Sequence, residues 1–169
     1  TASDDTNSTS QAITVSITDV DDVAPVFTSS ATFSAAENQT SIGTVTATDV
    51  DTDNSSITYS ISGSDLSITS GGVLTFASAP DYETKTSYSA TITATDGTNS
   101  ATQNITVSVT NLNDNTPSIT SSAAFSAEEN QTAIGTISAS DPDDDTVTYS
   151  ISGTDASSMS INSSSGVLA

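Results

Sequence analysis

Asn111-Leu112-Asn113-Asp114-Asn115-Thr116-Pro117 lies between two regions of alternating apolar residues, is dense in oxygen-bearing side chains and closes on a proline. The same pattern occurs 92 residues earlier, as Asp19-Val20-Asp21-Asp22-Val23-Ala24-Pro25. Each reads as a short linker between domains. Oxygens grouped this densely suit a hard cation such as calcium, which takes six to eight oxygen ligands and seldom finds them all in one loop.

Working outward, the 92-residue offset extends well beyond the linkers. Pro25, Glu37, Asn38, Gly43, Asp49 and Asp51 recur as Pro117, Glu129, Asn130, Gly135, Asp141 and Asp143. Thr58-Tyr59-Ser60-Ile61-Ser62-Gly63 recurs as Thr148-Tyr149-Ser150-Ile151-Ser152-Gly153, after a two-residue deletion. Asp4 and residues 11–18 match Asp96 and residues 103–110. A fixed period of this kind marks a tandem-repeat architecture. It divides the chain into three parts: 1–21, the last strand and linker of a repeat; 22–113, one complete repeat; and 114–169, the first half of a further repeat.

Between the acidic clusters the chain alternates with period two, as half-buried strands do. Ile13, Val15 and Ile17 predict a strand over 11–18 with one buried face. Further strands are predicted at 41–48, 57–61, 66–68, 73–76, 88–94 and 103–110. Gly71-Gly72 and Asp96-Gly97 mark turns. No segment has helical periodicity. Short strands at this spacing predict an all-β, immunoglobulin-like sandwich of seven strands or so.

Composition narrows the function. Twenty-one acids face one cation, Lys85, for a net charge of −20. No basic surface is available to meet phosphates, which excludes nucleic acid as a partner. Such self-repulsion opposes compaction unless cations neutralise it. There is no Cys, His or Trp. Disulfides are therefore absent, zinc and copper sites lack their usual donors, and Ser-His and Cys-His triads cannot form. No apolar run approaches the ~18 residues of a membrane span. The chain reads as an interior piece of a longer secreted protein.

Two sharper readings of the acids lose to a structural one. Asp49-x-Asp51-x-Asp53 begins like an EF-hand loop, but Asn54 and Ser60 stand where the glycine and the terminal glutamate belong. Asp81 and Glu83 could be a catalytic pair. Glycosidase-like chemistry, however, needs a cleft and a carboxylic acid of raised pKa, and neither is visible.

Glu37-Asn38, Asp49-Val50-Asp51, Asp81-Tyr82-Glu83, Thr95-Asp96-Gly97 and Asn111 to Pro117 stand in one order along the chain. In that order they resemble the motifs of the cadherin repeat, over nearly the whole chain. The resemblance implies tandem seven-stranded Greek-key sandwiches with Ca2+ bound at each junction. At the central junction it implies ligation by Glu37, Asp81 and Glu83, by Asn113 and Asp114 with the carbonyls of Leu112 and Asn115, and by Asp141 and Asp143. At the earlier junction it implies Asp21, Asp22, Asp49, Asp51, Asp96 and the Asn54 carbonyl. Asn111 departs from the family's usual linker aspartate, and Val23 from its last linker asparagine.

The six acids of the central set carry six negative charges, which three divalent ions balance. Without them, like charges 4 Å apart repel by about 4 kcal/mol per pair at a surface-like dielectric. The expectation is a non-enzymatic, extracellular or cell-surface module of an adhesion protein, its source read as bacterial. Calcium would stiffen a stalk of adjacent repeats in the same chain. The rival is direct recognition of another copy, a cell-surface protein or a surface polysaccharide. Strand exchange through a tryptophan is unavailable to a chain that has none.

Overall fold

The structure, a computed structural model, describes residues 1–51 and 54–169. Asp53 therefore lies outside the described residues. Among these there is no α-helix. The chain runs as β1 (Ala2–Ser3), β2 (Ser8–Thr9), β3 (Val26–Phe27), β4 (Thr32–Ala36), β5 (Ser41–Thr44), β6 (Ala47–Thr48), β7 (Thr58–Ile61), β8 (Leu66–Ile68), β9 (Val73–Phe76), β10 (Ser87–Thr95) and β11 (Ser100–Thr110). It ends with β12 (Ser118–Ile119), β13 (Gly135–Thr136), β14 (Ala139–Ser140) and β15 (Val167–Leu168).

Residues 26–110 form an immunoglobulin-like β-sandwich. One sheet has the order β4-β11-β10-β7, and the other β5-β9-β8, with β3 paired to β6 beside them. The period-two pattern decides which side chains meet between the sheets. Ile105, Val107 and Val109 of β11 and Ile92 of β10 point inward, against Val45, Leu66, Leu74 and Phe76. The outward positions of β10 and β11 are hydroxyls and amides. From Ser87 to Thr95 and from Ser100 to Thr110 there is no acid and no base. The single cation Lys85 pairs with Asp65 at 2.6 Å and lies 4.2 Å from the centre of the Tyr88 ring.

The strand expected over 41–48 is two strands. β5 pairs with β9 and β6 pairs with β3, so the chain changes partners at Val45-Thr46. Val45 is held in this step by its N–H, which donates to the Gly72 carbonyl at 2.8 Å. Gly72 has φ of +88°, and a Cβ there would stand 2.3 Å from the Val45 carbonyl oxygen. Only glycine fits so close a backbone approach.

The strand expected over 11–18 does not form. Ile13, Val15 and Ile17 are 83%, 80% and 93% exposed. Their counterparts 92 residues on, Ile105, Val107 and Val109, are buried between β10 and β4. A strand is held by its neighbours, and among the described residues nothing pairs with residues 11–18. What the sequence does contain pairs in the same register. Ala2↔Thr9 and Ser3↔Ser8 repeat Ala94↔Ala101 and Thr95↔Ser100. The turn repeats as well: Asp4 Oδ1 accepts the N–H groups of Thr6 and Asn7, as Asp96 Oδ1 accepts those of Thr98 and Asn99. These donors hold the Asp4 carboxyl below the usual carboxylate range.

Residues 114–169 repeat the pairings of 26–75 in reduced form. Ser118↔Ser140 matches Val26↔Thr48, and Thr136↔Val167 matches Thr44↔Val73. Ile137 and Gly166 reproduce the Val45–Gly72 bond at 2.9 Å. Ile119 is 71% exposed, and Ile137, Tyr149, Ile151, Ile161 and Leu168 line an apolar hollow of about 450 Å³.

Candidate metal centre

At the end of β4, Glu37 is only 2% exposed although it is an acid. Its Oε2 accepts the Tyr82 N–H and its Oε1 the Leu112 N–H, each at 2.8 Å. A single carboxylate thus ties β4 to the 81–84 turn and to the linker. Asn38 follows with φ of +62°, and its Nδ2 donates to the Asp114 carboxylate. In the next turn Asp81 is occupied locally. Its oxygens accept the Glu83 N–H at 3.1 Å and the Thr84 hydroxyl at 2.8 Å, and the Thr84 hydroxyl leads the contacts that lower its pKa.

Glu37, Glu83 and Asp114 bring one carboxylate oxygen each within 4.8 Å of one another. Loss of hydration pushes the Glu83 carboxyl upward, and the negative charges of Glu37 and Asp143 push the same way.

Asp143 approaches from the other side of the linker. Its N–H donates to Asp141 Oδ1 at 2.9 Å, closing the turn around Pro142. Its Oδ2 accepts the N–H groups of Asp114 at 3.0 Å and Asn115 at 2.8 Å. Its Oδ1 accepts Asn115 Nδ2 at 2.9 Å, and that side-chain bond is the largest cause of its lowered pKa. Asp141, Asp143 and Asp145 form a second converging group.

The acidic stretch 19–25 and the 49–51 turn repeat this frame. Asp51 Oδ2 accepts the N–H groups of Asp22 at 3.2 Å and Val23 at 2.9 Å, and the Asp51 N–H donates to Asp49 Oδ1 at 2.9 Å. Asp21, Asp49 and Asp51 form the third group. Asn54 Oδ1 accepts the Asp49 N–H, while its carbonyl, the expected ligand atom, takes the Ile57 N–H at 3.4 Å. Asp96 caps its own turn with Oδ1, and its Oδ2 is buried with no hydrogen-bond partner among the described residues.

Of the residues expected at the two sites, Glu37, Glu83, Asp114, Asp141, Asp143, Asp21, Asp49 and Asp51 therefore fall within the three groups. Asp81 and Asp96 stand outside them with one or both oxygens held in their own turns. Leu112 and Asp22 take part through backbone N–H groups, and Asn113 is exposed. Four contributors were not expected as side chains. Asn99 Nδ2 reaches Asp21 Oδ1 at 3.2 Å, Asp145 joins the second group, and the amides of Asn38 and Asn115 bind carboxylates. The recurrence of Asn38 as Asn130, and of Asn99 at the position of Asn7, was the available signal.

All donors here are oxygens and the acids carry no local counter-charge, since Lys85 is engaged with Asp65. Carboxylates so placed suit a hard divalent cation, as does the orphaned oxygen of Asp96. No soft ligand is present for a thiophilic metal.

A cadherin-domain family model matches residues 30–110. Cadherin EGF LAG seven-pass G-type receptor 1 of Homo sapiens is 34% identical over 152 residues, covering 80% of this chain and 5% of the receptor. Cadherin-99C of Drosophila melanogaster is 34% identical over 151 residues, covering 80% of this chain and 9% of its own length. The chain thus spans a small fraction of the curated relatives it matches. Among solved structures, mouse cadherin-23 EC22-24 superimposes with a TM-score of 0.73 at 26% identity, over 89% of this chain and 55% of that one. The protocadherin gammaB7 EC3-6 cis-dimer gives 0.76 at 27% identity, over 93% of this chain and 46% of that one.

Proposed function

Residues 30–110 belong to the cadherin family, and on that premise we propose that this extracellular, adhesion-type segment is a calcium-stiffened joint between tandem repeats. The repeats are 22–113 and 114–169, with 1–21 as the end of a preceding one. The observation that carries the reading is the convergence of Glu37, Glu83 and Asp114 on one side of the linker, with Asp143 held against the other.

At the central junction Glu37, Asp81, Glu83, Asn113, Asp114, Asp141 and Asp143 would hold Ca2+, with the carbonyls of Leu112 and Asn115. At the earlier one Asp21, Asp22, Asp49, Asp51, Asp96 and the Asn54 carbonyl would do so. Asp81 and Asp96 would turn an oxygen from their own loops to join. A bound cation supplies positive charge and shared coordination. The residues supply the mechanics. Glu37 fixes the linker's entry by gripping Leu112, and Asp143 fixes its exit by gripping Asp114 and Asn115. Repulsion among the acids would splay the joint when charge is left unbalanced. The chemistry asked of these carboxylates is structural rather than catalytic.

Scattering at small angles through a calcium titration tests the joint. The chain is expected to lengthen and narrow in distribution between excess chelator and millimolar calcium; an unchanged profile overturns the reading. A second reading, contact between copies, draws support from the cis-dimeric protocadherin that superimposes on the chain. Mass measured against concentration distinguishes a stalk from a self-associating module.

A further inference from the structure

Two stretches of the chain have the sequence of a strand and no strand partner among the described residues. Residues 11–18 expose Ile13, Val15 and Ile17 and pair with nothing. Residues 124–128 are exposed and lie outside any strand. Their counterparts at the 92-residue offset are β11 and β4, which run side by side in parallel, with Thr106↔Thr32, Val107↔Phe33, Ser108↔Ser34, Val109↔Ala35 and Thr110↔Ala36. Residues 124–128 are nonetheless set as β4 is, since the Phe125 ring lies against Gly135 as the Phe33 ring lies against Gly43. The same unit holds the apolar hollow around Ile137 and Leu168. The counterparts of those two, Val45 and Leu74, share one core with Ile105 and Val107 of β11.

We infer that residues 11–18 of one copy dock on the 114–169 unit of a second copy, as the strand that covers its hollow. The offset sets the register: Thr14 beside Ala124, Val15 beside Phe125, Ser16 beside Ser126, Ile17 beside Ala127 and Thr18 beside Glu128. Ile13, Val15 and Ile17 turn to the hollow, and Thr14 and Ser16 to solvent. This deepens the second reading above, contact between copies, and does not depend on the calcium joint.

Three facts support it. First, a segment with unpaired backbone groups adds to an open strand edge through main-chain hydrogen bonds, and its alternate side chains give specificity. Second, the chain carries a net charge of −20, yet residues 6–18 hold no acid and the residues lining the hollow are uncharged. The surfaces that meet are those that self-repulsion spares. Third, the unit covered belongs to another copy because that of the same copy is out of reach. Residues 19–25 leave one end of the 22–113 sandwich, where Asn99 Nδ2 reaches Asp21 Oδ1, and Leu112 leaves the other, where Glu37 holds it. β11 runs between these ends with 11 residues, a length of about 34 Å. Residues 19–25 span about 25 Å at most. The contact therefore uses different surfaces on its two sides, and copies add head to tail.

The test measures mass against concentration by sedimentation, for the whole chain and for two variants with the same added charge. The mass of the parent is expected to rise with concentration. Val15→Asp puts an unpaired charge into the hollow and should weaken the association by about a hundredfold or more. Thr14→Asp, one position away on the outer face, should change it by no more than about threefold. A parent that is monomeric at every concentration overturns the inference, as does an equal loss in both variants or a loss in neither. The Val15→Asp chain keeps its 114–169 unit unaltered. Titrated with a synthetic peptide of residues 1–18, it should bind one equivalent, and the peptide carrying Val15→Asp should not bind. No binding, or equal binding of the two peptides, also overturns the inference. The thermal transition of residues 26–110 checks that both variants fold. The calcium joint is read separately, from the scattering of the monomeric Val15→Asp chain with and without calcium, so either reading can fail alone.

Discussion

Glu37 and Leu112 are 75 positions apart, and the carboxylate of the first receives the backbone N–H of the second at 2.8 Å. The other Glu37 oxygen receives the Tyr82 N–H, so each oxygen has a backbone partner while the side chain is almost wholly buried. Glu37→Ala leaves two donors unpaired. It is expected to destabilise residues 26–110 by about 2–6 kcal/mol, at about 1–3 kcal/mol for each donor left unpaired. Urea unfolding in chelator measures this free of any metal. A loss below about 0.5 kcal/mol would show that Glu37 does not hold the linker.

Asp114 lies on the linker and contributes little to the sandwich core. Asp114→Ala should abolish the calcium-dependent narrowing of the scattering profile while leaving the melting of residues 26–110 in place. If that melting disappears with the joint, Asp114 belongs to the fold and its assignment to the junction is wrong.

Leu74 is completely buried, as is Ile92 opposite it, and Ile105 is nearly so. Leu74→Ala should cost about 2–5 kcal/mol, the range for a buried leucine truncated in a packed core. Chemical denaturation reads it directly. The loss should be the same with and without calcium, because Leu74 lies outside the converging acids.

Gly72→Ala puts a methyl group on the Val45 carbonyl at a positive φ. The strain and the clash should together cost at least about 1–3 kcal/mol. Gly71→Ala next to it has only the Thr69 hydroxyl, at 3.9 Å, as a neighbour, and should be far milder. Comparing the two melting temperatures separates the close approach from a general loss of glycine.

Lys85→Met removes the only side-chain cation, but its partner Asp65 is exposed and the ion pair is solvated. The change in stability is expected to stay below about 1 kcal/mol. A larger loss in urea would mean that the contact with the Tyr88 ring carries more than the ion pair.

Much of this was legible because the chain repeats itself. Ile105, Val107 and Val109 announce β11 by strict alternation, and Glu37, Asp49-x-Asp51 and Asp114 mark by their charge acids that the fold brings into converging groups. The break before Val45 had a signal that reading 41–48 as one strand passed over: the apolar positions change phase between Ile42 and Val45. What fixes the step there is the approach of Gly72, a contact distant in sequence. The strand over 11–18 failed for the converse reason. Its pattern is as good as that of β11, but a pattern specifies which face is buried, and burial requires something to be buried against. The amide contacts of Asn38, Asn99 and Asn115 escaped because an asparagine among acids reads as one more oxygen ligand. Its donor side emerges only when three carboxylates surround it.

The uncharged outer faces of β10 and β11 bear on how such chains would lie beside one another. If most of the acids gather at junctions between repeats, as proposed above, charge would run along the repeat axis in bands, separated by flanks of hydroxyls. Two neighbours aligned in register would set band against band and repel over the screening length of the medium, about 8–10 Å at physiological salt. Displaced by half a period, each band would face a neutral flank. Whatever neutralises a joint therefore also erases the electrical ruler along the chain's side, so one ion would set both how straight a chain stands and how freely its neighbours slide past it.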